Sequence, residues 1–257
     1  STATVSDGPD ANGLGILGTY DLESKTFTLT IDVFKLTVPN VLLVDANGVT
    51  IQYVRGGPED QTLAIIDFAQ VAMLSLNMQG TVSGLVISKN AFHFGSATIK
   101  YLGTVQAGNI FTLTGPAVTL TGFGVDYSTG AKFDGGITLS ADAVQIFPNS
   151  KTFTANGTNV AGTFFFVGAD YKGYSISVGT FEANIAQKVI FNGKDITFRS
   201  DPAPGEYVAT FGALGVQLPG IGIGGEGGNF AFNRDGDFVP LNNFYVRLNA
   251  DLSGVGL

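Results

Sequence analysis

The chain has 257 residues, a net charge of −8, 13 basic residues and no cysteine. Scattered Lys and Arg in so acidic a chain exclude a nucleic-acid-binding protein, because phosphate contacts need clustered positive charge. The absence of cysteine excludes disulfides and thiolate metal sites, and the absence of any run of about 18 apolar residues excludes a transmembrane helix. An acidic composition without cysteine favours an extracellular or cell-surface location in a bacterium.

Short segments of apolar–polar alternation run through the chain and predict an all-β protein. In chain order the clearest are Phe27–Ile31, Phe34–Val38, Val49–Tyr53, Val118–Thr121, Ile137–Ser140, Tyr174–Val178 and Phe244–Leu248. This pattern predicts strands of about four to six residues. Only Leu63–Leu76 fits neither period, and it suits a strand buried on both faces as well as a short helix.

Glycine-containing pairs separate many of these segments. Asn47-Gly48, Asn156-Gly157, Asn192-Gly193 and Asp235-Gly236 are pairs of the type that supplies the positive φ of a tight turn. The sequence therefore predicts a chain reversal at each of them.

A possible internal repeat favours a parallel β-solenoid. FTLT occurs at Phe27–Thr30 and Phe111–Thr114, and SKTFT occurs at Ser24–Thr28 and Ser150–Thr154. Both offsets are multiples of 42 residues, which corresponds to stacked coils of about 21. The favoured architecture is a single elongated domain over 1–257, with an irregular glycine-rich segment at 212–228. A pair of antiparallel β-sandwiches is the alternative, because it suits the Asn-Gly hairpin turns.

Calcium is the one cofactor that the acidic turns suggest, since it binds oxygen ligands. The strongest candidate is a calcium turn formed by Asn233, Asp235 and Asp237. The segments Asp7–Gly13 and Asp45–Gly48 have a similar but weaker pattern. The sequence otherwise predicts no cofactor.

Residues for catalysis are scarce. The single histidine, His93, alternates with Phe92 and Phe94, so we expect it to point away from the face that holds those rings. The best cluster of charges places Lys194 and Arg199 near Asp195 and Asp201, without a convincing acid–base pair. A G-x-G-x-x-G match at Gly220–Gly225 lacks the following helix of a dinucleotide site. The sequence therefore predicts no catalytic residue.

The segments Asn192–Phe198 and Gly228–Phe238 resemble the Phe/Thr/Gly-rich β repeat modules of very large, adhesin-like bacterial surface proteins. The resemblance implies a non-catalytic structural or adhesive module, with polysaccharide or self-association as its candidate interaction. Two alternatives stay open. One is a carbohydrate-active β-helix enzyme, a lyase or a hydrolase. The other is an outer-membrane β-barrel, for which strands of four to six residues are shorter than the roughly nine to eleven needed.

Overall fold

A computed structural model describes residues 3–4, 15–58, 61–200, 207–232, 238–239 and 245–250. The chain divides into two compact units. The first comprises residues 1–102, 118–137 and 166–170, and the second comprises residues 103–117, 138–165 and 171–257. Within the described residues no helix is long and apolar enough to cross a membrane.

Strands account for nearly all of the described structure, and the prediction of an all-β protein is confirmed. A single 3-10 turn at Leu74–Leu76 interrupts them within the described ranges. The strands are β1 (Ala3–Thr4), β2 (Ile16–Asp21), β3 (Thr26–Val38), β4 (Leu42–Val54), β5 (Thr62–Met73), β6 (Met78–Ser88), β7 (Ala91–Tyr101), β8 (Thr104–Ala107), β9 (Phe111–Thr114), β10 (Ala117–Asp126), β11 (Gly130–Ile146), β12 (Phe153–Val167), β13 (Asp170–Ile185), β14 (Val189–Ser200), β15 (Tyr207–Leu218), β16 (Ile221–Phe232), β17 (Phe238–Val239) and β18 (Tyr245–Ala250).

Consecutive strands pair antiparallel. In the first unit each strand from β2 to β6 pairs with its successor. In the second unit the series β13 to β16 does the same. The parallel β-solenoid that the sequence favoured is not supported, because the chain reverses between neighbouring strands, whereas the coils of a solenoid stack parallel. Antiparallel pairing fits the alternative architecture.

The strands are longer than the alternation predicted. β3 and β4 have 13 residues each, β11 has 17 and β13 has 16. The expected strands Phe27–Ile31 and Phe34–Val38 are two arms of β3. The expectation of strands of four to six residues is therefore wrong for most of the strands, although β8 and β9 have four residues each.

A kink divides β3 and β4 each into two extended segments, which we call the arms of the strand. The pairing of β3 with β4 passes from Ile31 opposite Val49 to Val33 opposite Asn47, and it skips the facing residues Asp32 and Gly48. Gly48 has a φ of 63°, in the left-handed region. One left-handed residue bends a strand without reversing it, because the residues on both sides stay paired in the same register. The predicted turn at Asn47-Gly48 is therefore a kink inside β4.

Left-handed kink residues recur at similar intervals along the chain. Each lies thirty-odd residues after the previous one, which is shorter than the 42-residue period inferred from FTLT. They are Gly48 of β4, Gly84 of β6 and Gly122 of β10 in the first unit, and Asn159 of β12, Asp195 of β14 and Gly227 of β16 in the second. One strand separates each kink of this kind from the next, except that β7, β8 and β9 all lie between the kinks of β6 and β10.

At each of these kinks a residue of one strand faces a residue of the neighbouring strand, and at least one of the two is glycine. Gly48 faces Asp67, Gly179 faces Asn159, and Gly212 faces Asp195. The backbones or side chains approach so closely that a Cβ on Gly48 would overlap the Asp67 carboxylate. Because only one side chain of such a pair has room, glycine is required opposite a kink residue that carries one.

The apolar residues change parity at the kink. In β3 the apolar positions are Phe27, Leu29 and Ile31 before the kink, and Phe34, Leu36 and Val38 after it. The ambiguous segment Leu63–Leu76 has apolar residues at both parities, since those of Leu63–Ile66 are consecutive before Asp67 and those of Val71–Met73 are consecutive after it. The segment is one kinked strand followed by a 3-10 turn.

Little of the described structure is fully buried. The buried hydrophobic residues are Ala46, Ala72, Ala141, Ala155, Ala183 and Phe211. Cross-strand side-chain pairs therefore have a large share in holding the strands together. The hydroxyls of Ser83 and Ser96 are 2.8 Å apart, and the same distance joins Thr98 to Thr119 and Thr138 to Thr163.

The glycine-rich segment 212–228 runs through the end of β15, a turn at residues 219–220 and much of β16. The two strands pair from Tyr207 opposite Phe232 to Leu218 opposite Ile221. The only skipped pair in this ladder is Gly212 opposite Gly227, which is the kink.

Candidate functional site

The predicted calcium turn at Asn233, Asp235 and Asp237 lies outside the described residues, as does Asp7–Gly13. Asp45–Gly48 belongs to β4, where the carboxylate of Asp45 is 3.5 Å from the Lys35 ammonium of β3. This segment is therefore a kinked strand and not a calcium loop. In the described part of the chain no three His, Asp or Glu side chains are grouped closely enough to hold a metal ion.

The charged cluster of β14 also belongs to a kink. The Lys194 ammonium and the Asp195 carboxylate are 4.0 Å apart, and both side chains are more than half exposed. Asp195 has a φ of 50°, and its carboxylate lies over Gly212. Solvent screens so exposed a pair, which therefore contributes little to stability. Arg199 faces Val208 further along the strand, and Asp201 lies outside the described residues.

The G-x-G-x-x-G segment at Gly220–Gly225 consists of a turn and the start of β16. β16 pairs antiparallel with β15, so the segment lacks the strand–turn–helix context that a dinucleotide site needs. The rejection of a nucleotide site on sequence grounds agrees with this geometry.

A cavity in the first unit brings together polar side chains from three strands. Its volume is about 390 Å³, within the range of small-ligand pockets. It is lined by residues 91–94 of β7, residues 122–126 of β10, and Lys132 and Asp134 of β11. Its polar side chains are His93, Asp126, Lys132 and Asp134.

The lining of the cavity includes His93 together with its neighbours Phe92 and Phe94, and Phe123 of β10. The ring of Phe123 lies 6.3 Å from Phe92, 5.5 Å from Phe94 and 6.2 Å from Phe133. Lys132 and Asp134 line the cavity, whereas Phe133 between them does not. His93 is exposed and its two Phe neighbours are half-buried, so the expected orientation of this histidine is confirmed.

Glycine makes room for this cavity. A Cβ on Gly124 would lie 3.0 Å from the Cβ of His93 and 3.0 Å from the carbonyl oxygen of Phe92. A side chain at position 124 would therefore project beside His93, into the space that the cavity occupies. Gly124 thus keeps the position beside His93 free of a side chain, whereas Gly122 packs against the backbone of Asp134 on β11.

Asp126 holds the hairpin between β10 and β11. Its Oδ1 accepts hydrogen bonds from the backbone N–H of Ser128 (2.8 Å), the Ser128 hydroxyl (2.6 Å) and the backbone N–H of Thr129 (3.1 Å). The Lys132 ammonium is 3.8 Å from its other oxygen. The hydrogen bonds from Ser128, and then that from Thr129, lower the pKa of Asp126 to about 2.

The side chains of His93 and Asp134 have hydrogen-bonding groups that a ligand could use. Both residues are exposed at the cavity, and neither side chain forms a hydrogen bond or an ion pair within the described part of the protein. Asp126 and Lys132 are already engaged with the turn and with each other. The groups available to a ligand are therefore the imidazole of His93 and the carboxylate of Asp134, beside Gly124.

The lowered pKa of Asp126 predicts acid sensitivity. Because the folded-state pKa lies below the ordinary value of 3.8, the stabilisation is complete above pH 3.8 and is lost as the pH falls through about 2. We expect Asp126→Asn to remove part of the decrease in melting temperature between those pH values. Asp134→Asn is the control, and an equal change in both variants would contradict the role of the turn.

The sequence does not predict this cavity. His93 lies on β7 and Asp134 on β11, and they come together because β10 pairs with both strands. Gly122 and Gly124 on either side of Phe123 are visible in the sequence, but they do not indicate which strands lie beside them.

Comparison with known proteins adds no relative: no protein-family model matches the chain, and no curated protein matches it.

Proposed function

We propose that this chain is a non-catalytic structural module of a secreted or cell-surface bacterial protein, built from repeated β-hairpins. The observation that carries the proposal is the recurrence of a left-handed kink residue every thirty-odd residues, in β4, β6, β10, β12, β14 and β16. A hairpin that repeats its kink can pair with the next hairpin in the same way, so the arrangement suits a scaffold extended by adding hairpins.

Two further features support a scaffold. The best charged cluster, Lys194 and Asp195, is exposed and belongs to a kink. Many large hydrophobic side chains are also exposed on the described strands, among them Leu22 at 84%, Ile110 at 59% and Ile99 at 58%. Exposed apolar surface on this scale is typical of proteins that contact a partner. Self-association is therefore part of the proposal, and calcium at Asn233, Asp235 and Asp237 stays a prediction.

Removing one complete period tests the proposal. Deletion of residues 49–84 joins the first arm of β4, which ends at the kink Gly48, to the second arm of β6, which starts after the kink Gly84. The two strands run in the same direction, so the joined strand keeps its kink and can pair with β3 on one side and β7 on the other. We expect the shortened chain to fold with a cooperative thermal transition, measured by circular dichroism.

Deletion of residues 49–66 is the matched control. It joins an arm of β4 to an arm of β5, and these strands run in opposite directions. We expect this variant to lose its cooperative transition. If both deletions unfold the protein, the hairpins are not interchangeable units and the repeat is refuted. Turnover of a polysaccharide that is lost in Asp195→Asn would instead favour the enzyme alternative.

A further inference from the structure

We infer that the cavity between β7, β10 and β11 is a binding site for one neutral sugar unit of a glycan. This inference rests on the proposed function, since it names the partner that such a surface module would hold. The cavity volume of about 390 Å³ suits a ligand of this size. Its available polar groups are the imidazole of His93 and the carboxylate of Asp134.

The charges disfavour an anionic ligand, because the carboxylate of Asp134 is the unpaired charge among the polar side chains that line the cavity. Lys132 and Asp126 offset one another at 3.8 Å, so neither is an uncompensated charge for an ionic ligand. The carboxylate of Asp134 can accept hydrogen bonds from two adjacent hydroxyls, and the imidazole of His93 can donate or accept one. A sugar ring offers such adjacent hydroxyls on neighbouring carbon atoms.

The floor of the cavity favours the same ligand class. Gly124 leaves the backbone of β10 without a side chain beside His93, and Phe92, Phe94 and Phe123 add apolar surface to the lining. A sugar ring can approach the backbone at Gly124 more closely than it could approach a residue with a side chain. A metal ion is a weaker candidate, because the acidic and histidine side chains of the described chain do not form a three-ligand group.

The test uses the intact chain, labelled with ¹⁵N, and the methyl glycosides of glucose, galactose, mannose and N-acetylglucosamine as probes. We expect at least one glycoside to cause saturable shifts in the amide signals of residues 91–94, 122–126 and 132–134. Asp134→Asn and His93→Gln should each weaken that binding about tenfold, the equivalent of about one hydrogen bond to a charged or polar group. Glu182→Gln changes an exposed strand carboxylate of the second unit and should leave binding unchanged.

Absence of shifts with all four glycosides would overturn the inference, and so would shifts located away from the cavity. Binding that is insensitive to both Asp134→Asn and His93→Gln would overturn it as well. Because the signals of the wild-type chain locate the site by themselves, the result does not depend on how the variants fold. If the chain folds after deletion of residues 49–84 but the intact chain binds no glycoside, the proposed structural module stands and the inferred sugar site is overturned.

Discussion

Replacing Gly122 with alanine is expected to lower the free energy of unfolding by about 2–5 kcal/mol, because two costs add. Gly122 has a φ of 64°, where an L-residue is less stable than glycine by about 1–2 kcal/mol. Its added Cβ would also overlap the carbonyl oxygen of Asp134 on the neighbouring strand. The backbone can relieve that overlap only by moving apart at the kink.

Gly162→Ala is the matched control for this prediction. Gly162 also lies inside a strand, but its φ is not in the left-handed region and a Cβ there would meet no atom within 4 Å. Its replacement should be neutral or slightly stabilising, since glycine is unfavourable inside a strand. Urea denaturation of both variants measures the difference. Similar losses at both positions would mean that the kink does not require glycine.

Replacing Phe123 with alanine is expected to have the second large effect, a loss of about 2–3 kcal/mol. Its ring is the centre of a cross-strand cluster and contacts Phe92, Phe94 and Phe133 at centroid distances of 6.3, 5.5 and 6.2 Å. Because the ring is half-buried, the loss should be smaller than in a fully packed core.

Phe165→Ala provides the comparison, because the side chain of Phe165 is 44% exposed. We expect a loss below about 1 kcal/mol for this variant. A double-mutant cycle between Phe123 and Phe133 should give a favourable interaction energy of about 0.5–1.5 kcal/mol, the usual size for an aromatic pair. Equal losses for Phe123→Ala and Phe165→Ala would show that the cluster does not stabilise the first unit.

The sequence predicted the arms of the strands well and their connections poorly. Alternation located Phe27–Ile31, Phe34–Val38 and Val49–Tyr53 as extended segments, and all three are extended in the structure. The errors came from the Asn-Gly pairs: Asn47-Gly48 is a left-handed kink, and the turns predicted at Asn156-Gly157 and Asn192-Gly193 are wrong because both pairs lie inside strands. What distinguishes a kink from a turn is the partner strand, which continues past the kink in the same register.

The change of parity was nevertheless present in the sequence. Apolar residues move from odd to even positions between Ile31 and Phe34 in β3. A turn between two strands does not require such a change of parity. The cavity was beyond prediction, because His93 and Asp134 are brought together by long-range pairing and their spacing along the chain matches no motif.

The central claim is that left-handed kinks recur inside the strands, and Asn159 and Asp195 allow the most direct test because they are left-handed without being glycine. At each position the stability of the Gly variant is compared with that of the Ala variant by urea denaturation. Glu182, an exposed residue within β13, provides the reference for an ordinary strand. We predict that the Gly variants at 159 and 195 are more stable than the Ala variants by about 1 kcal/mol, and that at 182 the order is reversed. Greater stability of the Ala variants at 159 and 195 would contradict the account.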